Sequence, residues 1–242
     1  MTASGKVIYT TTKGREWSIQ KDQSIQPRQA LEKLEQRVLG ADAPRGQYRL
    51  RDNQFINLSE GFAVGEGGVI IHNIDGGKVW TLHESPTTFR LNAINFPGYG
   101  VGWITGENGI LLCGSMDGML WTHRDTGTGV DLEGVDFTST TQGWLVGQSG
   151  LILHTQDGGT RWQAQKSDVG VTLYDVEFIN NNEGYAVGAD GVVLHTVDGG
   201  NTWIVQETNT TNALYDICLT PDGSLWIVGE WGIILKHSGA RV

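Results

Sequence analysis

The sequence predicts an all-β protein, a β-propeller of about five four-stranded blades with one helix inserted near the N-terminus. Three observations predict it. A strict 41-residue repeat places Gly65, Gly106, Gly147, Gly188 and Gly229 in register. Within each copy, short runs alternate apolar and polar residues between turn signals. Glycine is abundant, at 35 of 242 residues against 5 prolines, as many tight turns require.

The period is kept by other residue types. Trp80, Trp121, Trp162 and Trp203 follow it, as do Leu50, Leu91, Leu132, Leu173 and Leu214. A repeat of this length with four strand signals per copy is the pattern of a propeller blade. Residues 173–207 serve as the example. LYDVEF alternates with Tyr174, Val176 and Phe178 on one face, and GYAVG reads as a second strand. VVLHT follows the turn Ala189-Asp190-Gly191, and WIVQE follows a glycine-rich turn.

Residues 1–242 read as one domain, with five copies over 47–242. The stretch GKVIYTTTKGREW (5–17) aligns with GVVLHTVDGGNTW (191–203), so residues 1–19 read as closing strands. Val7–Thr11 are expected to pair with the terminal blade, whose last copy is GIILKHSGARV (232–242). Residues 20–46 read as a helical insertion. Leu31, Leu34 and Val38 recur there at helical spacing, between Pro27 and Gly40. One expectation packs this helix on its own propeller. The other makes Gln29, Glu32, Lys33, Gln36 and Arg37 a partner-binding face.

The repeated D-G-G-x-T-W stretch looks at first like an active-site loop. A carboxylate there can accept backbone N–H groups of its own turn, the glycines supply positive φ, and the tryptophan buries a large surface. Every blade needs these services, whereas a catalytic residue is needed once. Asp75, Trp80, Asp117, Trp121, Asp157, Trp162, Asp198 and Trp203 are therefore read as structural. His72, His154 and His195 share a column with Cys113 and Lys236. Equivalent points on neighbouring blades lie roughly 10 Å apart, whereas zinc ligands must converge to about 2.0–2.3 Å from one ion. No metal, cofactor or catalytic site is expected. Cys113 and Cys218 read as small buried residues without a disulfide framework.

Asp52, Asp136, Asp175, Glu177 and Asp216 fall on first, innermost strands, and a glycosidase would need two such carboxylates. Asp52, Asp175 and Asp216 share one column, however, which favours a turn or interblade role. The formal charge of −10 argues against nucleic acid and anionic membranes as partners. No apolar run is long enough to insert in a bilayer, and the N-terminus lacks the apolar core of a signal peptide. The expected setting is the cytoplasm, or a virion assembled there.

The stretches GFAVGEGGVIIHNIDGGKVW (61–80), GWLVGQSGLILHTQDGGTRW (143–162) and GYAVGADGVVLHTVDGGNTW (184–203) resemble the Asp-box, or bacterial neuraminidase, repeat. More narrowly they resemble the photosystem II assembly and stability factor family. The resemblance implies a non-enzymatic propeller that holds a protein partner within a larger assembly. It also implies seven blades and an export signal, against five copies and no signal here. The family's arginine cluster is not carried over, because the arginines here keep no common register. The alternative is a structural or receptor- and glycan-binding part of a phage virion, where such repeats also occur. A glycosidase is the least expected reading. Terminal strands or the inserted helix offer routes to an oligomer.

Overall fold

The computed structural model describes residues 49–98, 100–115, 120–220 and 223–238, together with the strand backbones at 8–9 and 18–19. The helix expected over 20–46, with Gln29, Glu32, Lys33, Gln36 and Arg37, lies outside the described residues. Five antiparallel sheets follow the 41-residue repeat. Blade four is representative, with strands Leu173–Phe178, Gly184–Gly188, Val193–Thr196 and Ile204–Gln206 side by side in chain order. Blade five shows three described strands, Leu214–Leu219, Ser224–Gly229 and Ile234–Ser238.

The first strands pack successively on one another from blade one to blade five, which places them around a common axis. Each first strand carries a register shift at the same place, immediately after its leading leucine. The extra residue is Arg51, Asn92, Glu133, Tyr174 or Tyr215. A bulge of this kind bends the strand and re-aims its side chain. It also draws the main chain inward: a Cβ on Gly188 would lie 2.3 Å from the Thr172 carbonyl oxygen. The glycine column that marks the repeat is thus a demand for close backbone approach.

The core lies between blades. Trp144, Val146 and Ile152 of blade three meet Leu173, Val176, Phe178, Ala186, Leu194 and Trp203 of blade four in one buried cluster. Each buried side chain of this size contributes about 1.5–3 kcal/mol. Within each of the first four blades the box tryptophan meets a phenylalanine edge-on, with centroids 5.9, 6.1, 5.9 and 5.8 Å apart. Aromatic quadrupoles favour that geometry.

The two ends of the array differ from its middle. Trp226, Val228 and Ile234 of blade five occupy the positions of Trp144, Val146 and Ile152, yet Val228 and Ile234 are 42 % and 53 % exposed. On blade one, Phe55 is 47 % exposed, whereas Phe96, Phe137 and Phe178 are 4–6 % exposed. Among the described residues no hydrophobic cluster joins blade five to blade one. The ends still sense each other at the axis: burial raises the Asp52 carboxyl, and the charge of Asp216 adds to that rise. Ile8 and Tyr9, expected to extend the terminal blade, pair instead with Ile19 and Ser18 in a separate two-stranded sheet.

Candidate functional site at the axial mouth

Repeated columns are engaged in building the blades. Asp198 Oδ1 accepts the Thr202 N–H at 2.8 Å and the Thr196 hydroxyl at 2.9 Å. Asp157 Oδ2 accepts the Arg161 side-chain Nε–H at 3.0 Å, and its Oδ1 accepts the Arg161 backbone N–H at 2.9 Å and the Thr155 hydroxyl at 3.0 Å. Asp75 Oδ1 accepts the N–H groups of Lys78 and Val79 at 2.8 and 2.9 Å. These donors hold all three carboxyl groups below the ordinary aspartate range. Trp80, Trp121 and Trp203 are buried and Trp162 is half-buried. Asp117 lies outside the described residues.

The histidine column is likewise occupied locally. His72, His154 and His195 stack on Phe62, Trp144 and Tyr185, and each Nε2 bonds to Glu60, Gln142 or Glu183 of its own blade. Among the described residues no group of three His, Cys, Asp or Glu side chains is placed to hold a metal ion. The cysteines depart from expectation: Cys113 is half-buried and Cys218 exposed. Cys218 sits on the first strand of blade five, and among the described residues no following blade covers it.

Two columns of the first strands tie consecutive blades together. Asp52 Oδ2 accepts the Ile94 N–H at 2.8 Å, and Asp175 Oδ2 accepts the Ile217 N–H at 3.0 Å. Two residues further along, Gln54 accepts the Phe96 N–H and Asp136 Oδ2 the Phe178 N–H at 2.8 Å. Crowding these carboxylates into the axis costs solvation. Burial pushes Asp136 up to about 6 against the donated N–H groups. Burial, then the charges of Asp136 and Asp216, push Glu177 up to about 8. Burial and Asp216 also raise Asp175 well above the usual range. Glu177 is therefore largely protonated at neutral pH, and the oxygens of Asp52, Asp136 and Asp175 already serve backbone donors.

The bulge column also varies from blade to blade. The bulge side chains Arg51, Asn92, Glu133, Tyr174 and Tyr215 stand at the same end of the five first strands, and all differ except the two tyrosines. Several of them interact with one another. Tyr174 and Tyr215 meet with ring centroids 5.3 Å apart. Burial raises the Glu133 carboxyl, and the charges of Arg90 and Arg51 oppose that rise. Arg90 is held by Glu107 at 3.2 Å, Asp131 at 3.8 Å and the side-chain Oδ1 of Asn92 at 2.8 Å. Outside this ring lies the turn joining second to third strands, whose central residue has positive φ. Gly67, Asn108, Ser149 and Asp190 fill it in four blades, and blade five has Trp231, at φ 58° and 88 % exposed. Sequence reading passed over both the bulge ring and Trp231. The signal available was a column whose residue type changes from blade to blade.

Bladed sheets around an axis, with strands running outward in chain order, define a repeat β-propeller. Within that class the chain belongs to the photosynthesis system II assembly factor YCF48 family, whose sequence model matches residues 42–129, 116–205 and 162–240. It is similar to a solved structure of YCF48 bound to D1 peptide, at 24 % identity and TM-score 0.62, over 78 % of this chain and 65 % of that one. The chain thus spans less than two thirds of that relative's length. YCF48 from Cyanidioschyzon merolae is 15 % identical, over 80 % of this chain and 96 % of that one, with TM-score 0.45. An ancestral GH74 enzyme is 15 % identical with TM-score 0.62, over 75 % of this chain and 27 % of that one. The likenesses at TM-score 0.62 show the fold. No curated protein matches the sequence.

Proposed function

We propose that the chain is a non-enzymatic adaptor that holds a segment of a protein partner at the axial mouth, against Arg51, Glu133, Tyr174 and Tyr215. One observation carries this reading: the bulges gather Arg51, Glu133, Tyr174 and Tyr215, a mixed set of charged and aromatic side chains, at one end of the first strands, where the two tyrosines meet and arginine and carboxylate charges act on each other. A scaffold has no need of unlike residues there, whereas recognition of one asymmetric ligand does. Tyrosine pairs supply large contact area at low entropic cost and are enriched at binding hot spots. Family membership supports a protein as the ligand, and the relative with a bound D1 peptide supports an extended segment of one. The axial acids support a structural rather than a hydrolytic role, since Asp52, Asp136 and Asp175 accept backbone N–H groups.

The test is fluorescence anisotropy with labelled peptides tiling D1, and scrambled peptides as controls. The expected result is saturable binding of at least one tile, weakened about tenfold or more by Tyr174→Ala or Tyr215→Ala in chains that melt normally. Binding of no tile, or binding indifferent to both tyrosines, overturns the reading.

A further inference from the structure

We infer that residues 6–20 dock as a half-blade in the seam between blade five and blade one, with Ile8 and Trp17 against Trp226, Val228 and Ile234. The register of the N-terminal pair is the first observation. Ile8 pairs with Ile19 and Tyr9 with Ser18. In blade four, Leu194 pairs with Val205 and His195 with Ile204, which is the same pairing 186 residues later. The N-terminal pair therefore repeats the outer two strands of a blade.

The second observation is what those strands do elsewhere. At the positions of Ile8 and Trp17, blade two has Leu112 and Trp121, which join the cluster covering Phe62, Val64 and Ile70 of blade one. Blade four has Leu194 and Trp203, which cover Trp144, Val146 and Ile152 of blade three. The face that a sixth blade would cover is open on blade five, where Val228 and Ile234 are exposed. Gly232 repeats the signal. A Cβ on Gly68, Gly109, Gly150 or Gly191 would strike the carbonyl of the segment entering the next blade, whereas one on Gly232 would meet nothing within 4 Å.

Chain order fits the placement. In each of the first four blades the outer strands precede the first strand of the following blade, and residues 6–20 precede blade one. The tether between residue 20 and Arg49 can span far more than a seam at roughly 3.3 Å per residue. Being covalent, it raises the local concentration of the pair to the millimolar range. The half-blade brings its own third strand, so it docks on the face of blade five and does not extend that blade's edge.

The test uses the full chain with Cys113 and Cys218 changed to Ser, and cysteines introduced as Ile8→Cys and Ile234→Cys. A bis-maleimide of about 10 Å span matches the spacing of packed sheets. The expected product is a monomer in which mass spectrometry finds residues 8 and 234 joined, with the yield lost on adding Trp17→Ala. A cross-link found only between chains assigns the seam to a second copy and overturns the inference. So does the absence of any cross-link between these positions, or a yield unchanged by Trp17→Ala.

Discussion

Asp136 of blade three accepts the backbone N–H of Phe178 in blade four at 2.8 Å, a side chain of one repeat completing the main chain of the next. The donor is buried, so removing the acceptor leaves it unsatisfied. Asp136→Ala is expected to destabilise the fold by about 1–3 kcal/mol, and Asp136→Asn, which keeps an acceptor oxygen, by less. Urea denaturation measures both. Equal losses for the two variants would show that the bond is not what the side chain provides.

The same axial crowding makes stability depend on pH. A carboxyl whose folded pKa is raised stabilises the fold fully below its unfolded pKa, and that contribution is lost as pH rises through the folded value. For Asp136 and Glu177 the window runs from about 4 up through about 6 and about 8. Asp75, Asp157 and Asp198 are lowered instead, so their contribution holds at neutral pH and is lost as pH falls through their folded values. Melting temperature is expected to be higher at pH 5 than at pH 8.5 by roughly 4–8 °C, for about 2 kcal/mol in a chain of this size. Glu177→Gln should shrink that difference. Calorimetry showing a flat profile across the interval would refute the account.

Much of this was legible in the residues. Columns that never vary, such as the leading leucine, the glycine opposite Thr172 and the box tryptophan, read directly as scaffold because each blade meets the same physical demand. The interblade use of Asp52 and Asp175 was legible in part, because an aspartate recurs in their column at Asp216. The mouth was harder to read. Its residues share a position but not a type, so periodicity treats them as noise. Only the bulge reveals that Arg51, Glu133 and Tyr174 stand together at one end of the first strands. Exposure of Val228 and Cys218 was also illegible, because an end blade is written in the same pattern as an inner one.

Neighbouring glycines offer a sharper check on which columns bear backbone contact. Gly67 has φ 68° with open space where a Cβ would stand, and the other blades tolerate Asn, Ser, Asp and Trp there. Gly68 has φ 75°, and its Cβ would lie 2.0 Å from the Thr87 carbonyl oxygen. Gly67→Ala is expected to cost about 1–2 kcal/mol in left-handed strain. Gly68→Ala must in addition displace the segment entering blade two, and should lower the melting temperature much further. Comparable losses for the two would contradict the assignment.

Trp231 is a bulky side chain held in a left-handed conformation while almost wholly in solvent. Such a position costs stability without visible return from packing, which is the mark of a residue kept for contact with something else. Trp231→Asn is expected to raise stability by about 1 kcal/mol and to weaken capture of the partner segment at the mouth. Thermal melts and the anisotropy assay read the two effects separately. A destabilised variant would mean that the indole packs on its own blade after all.

Every buried cluster that spans two blades joins one blade to the next in sequence, and that arrangement governs how the molecule comes apart. Cooperativity in such an array passes from neighbour to neighbour, as in a one-dimensional chain of coupled units. An inner blade is clamped by two interfaces and an end blade by one, so opening starts at the ends and moves inward. Amide protons of blades one and five therefore exchange before those of blade three. Whatever bridges the two ends turns this row into a loop with no first unit to lose, which slows unfolding by more than the area it buries would suggest.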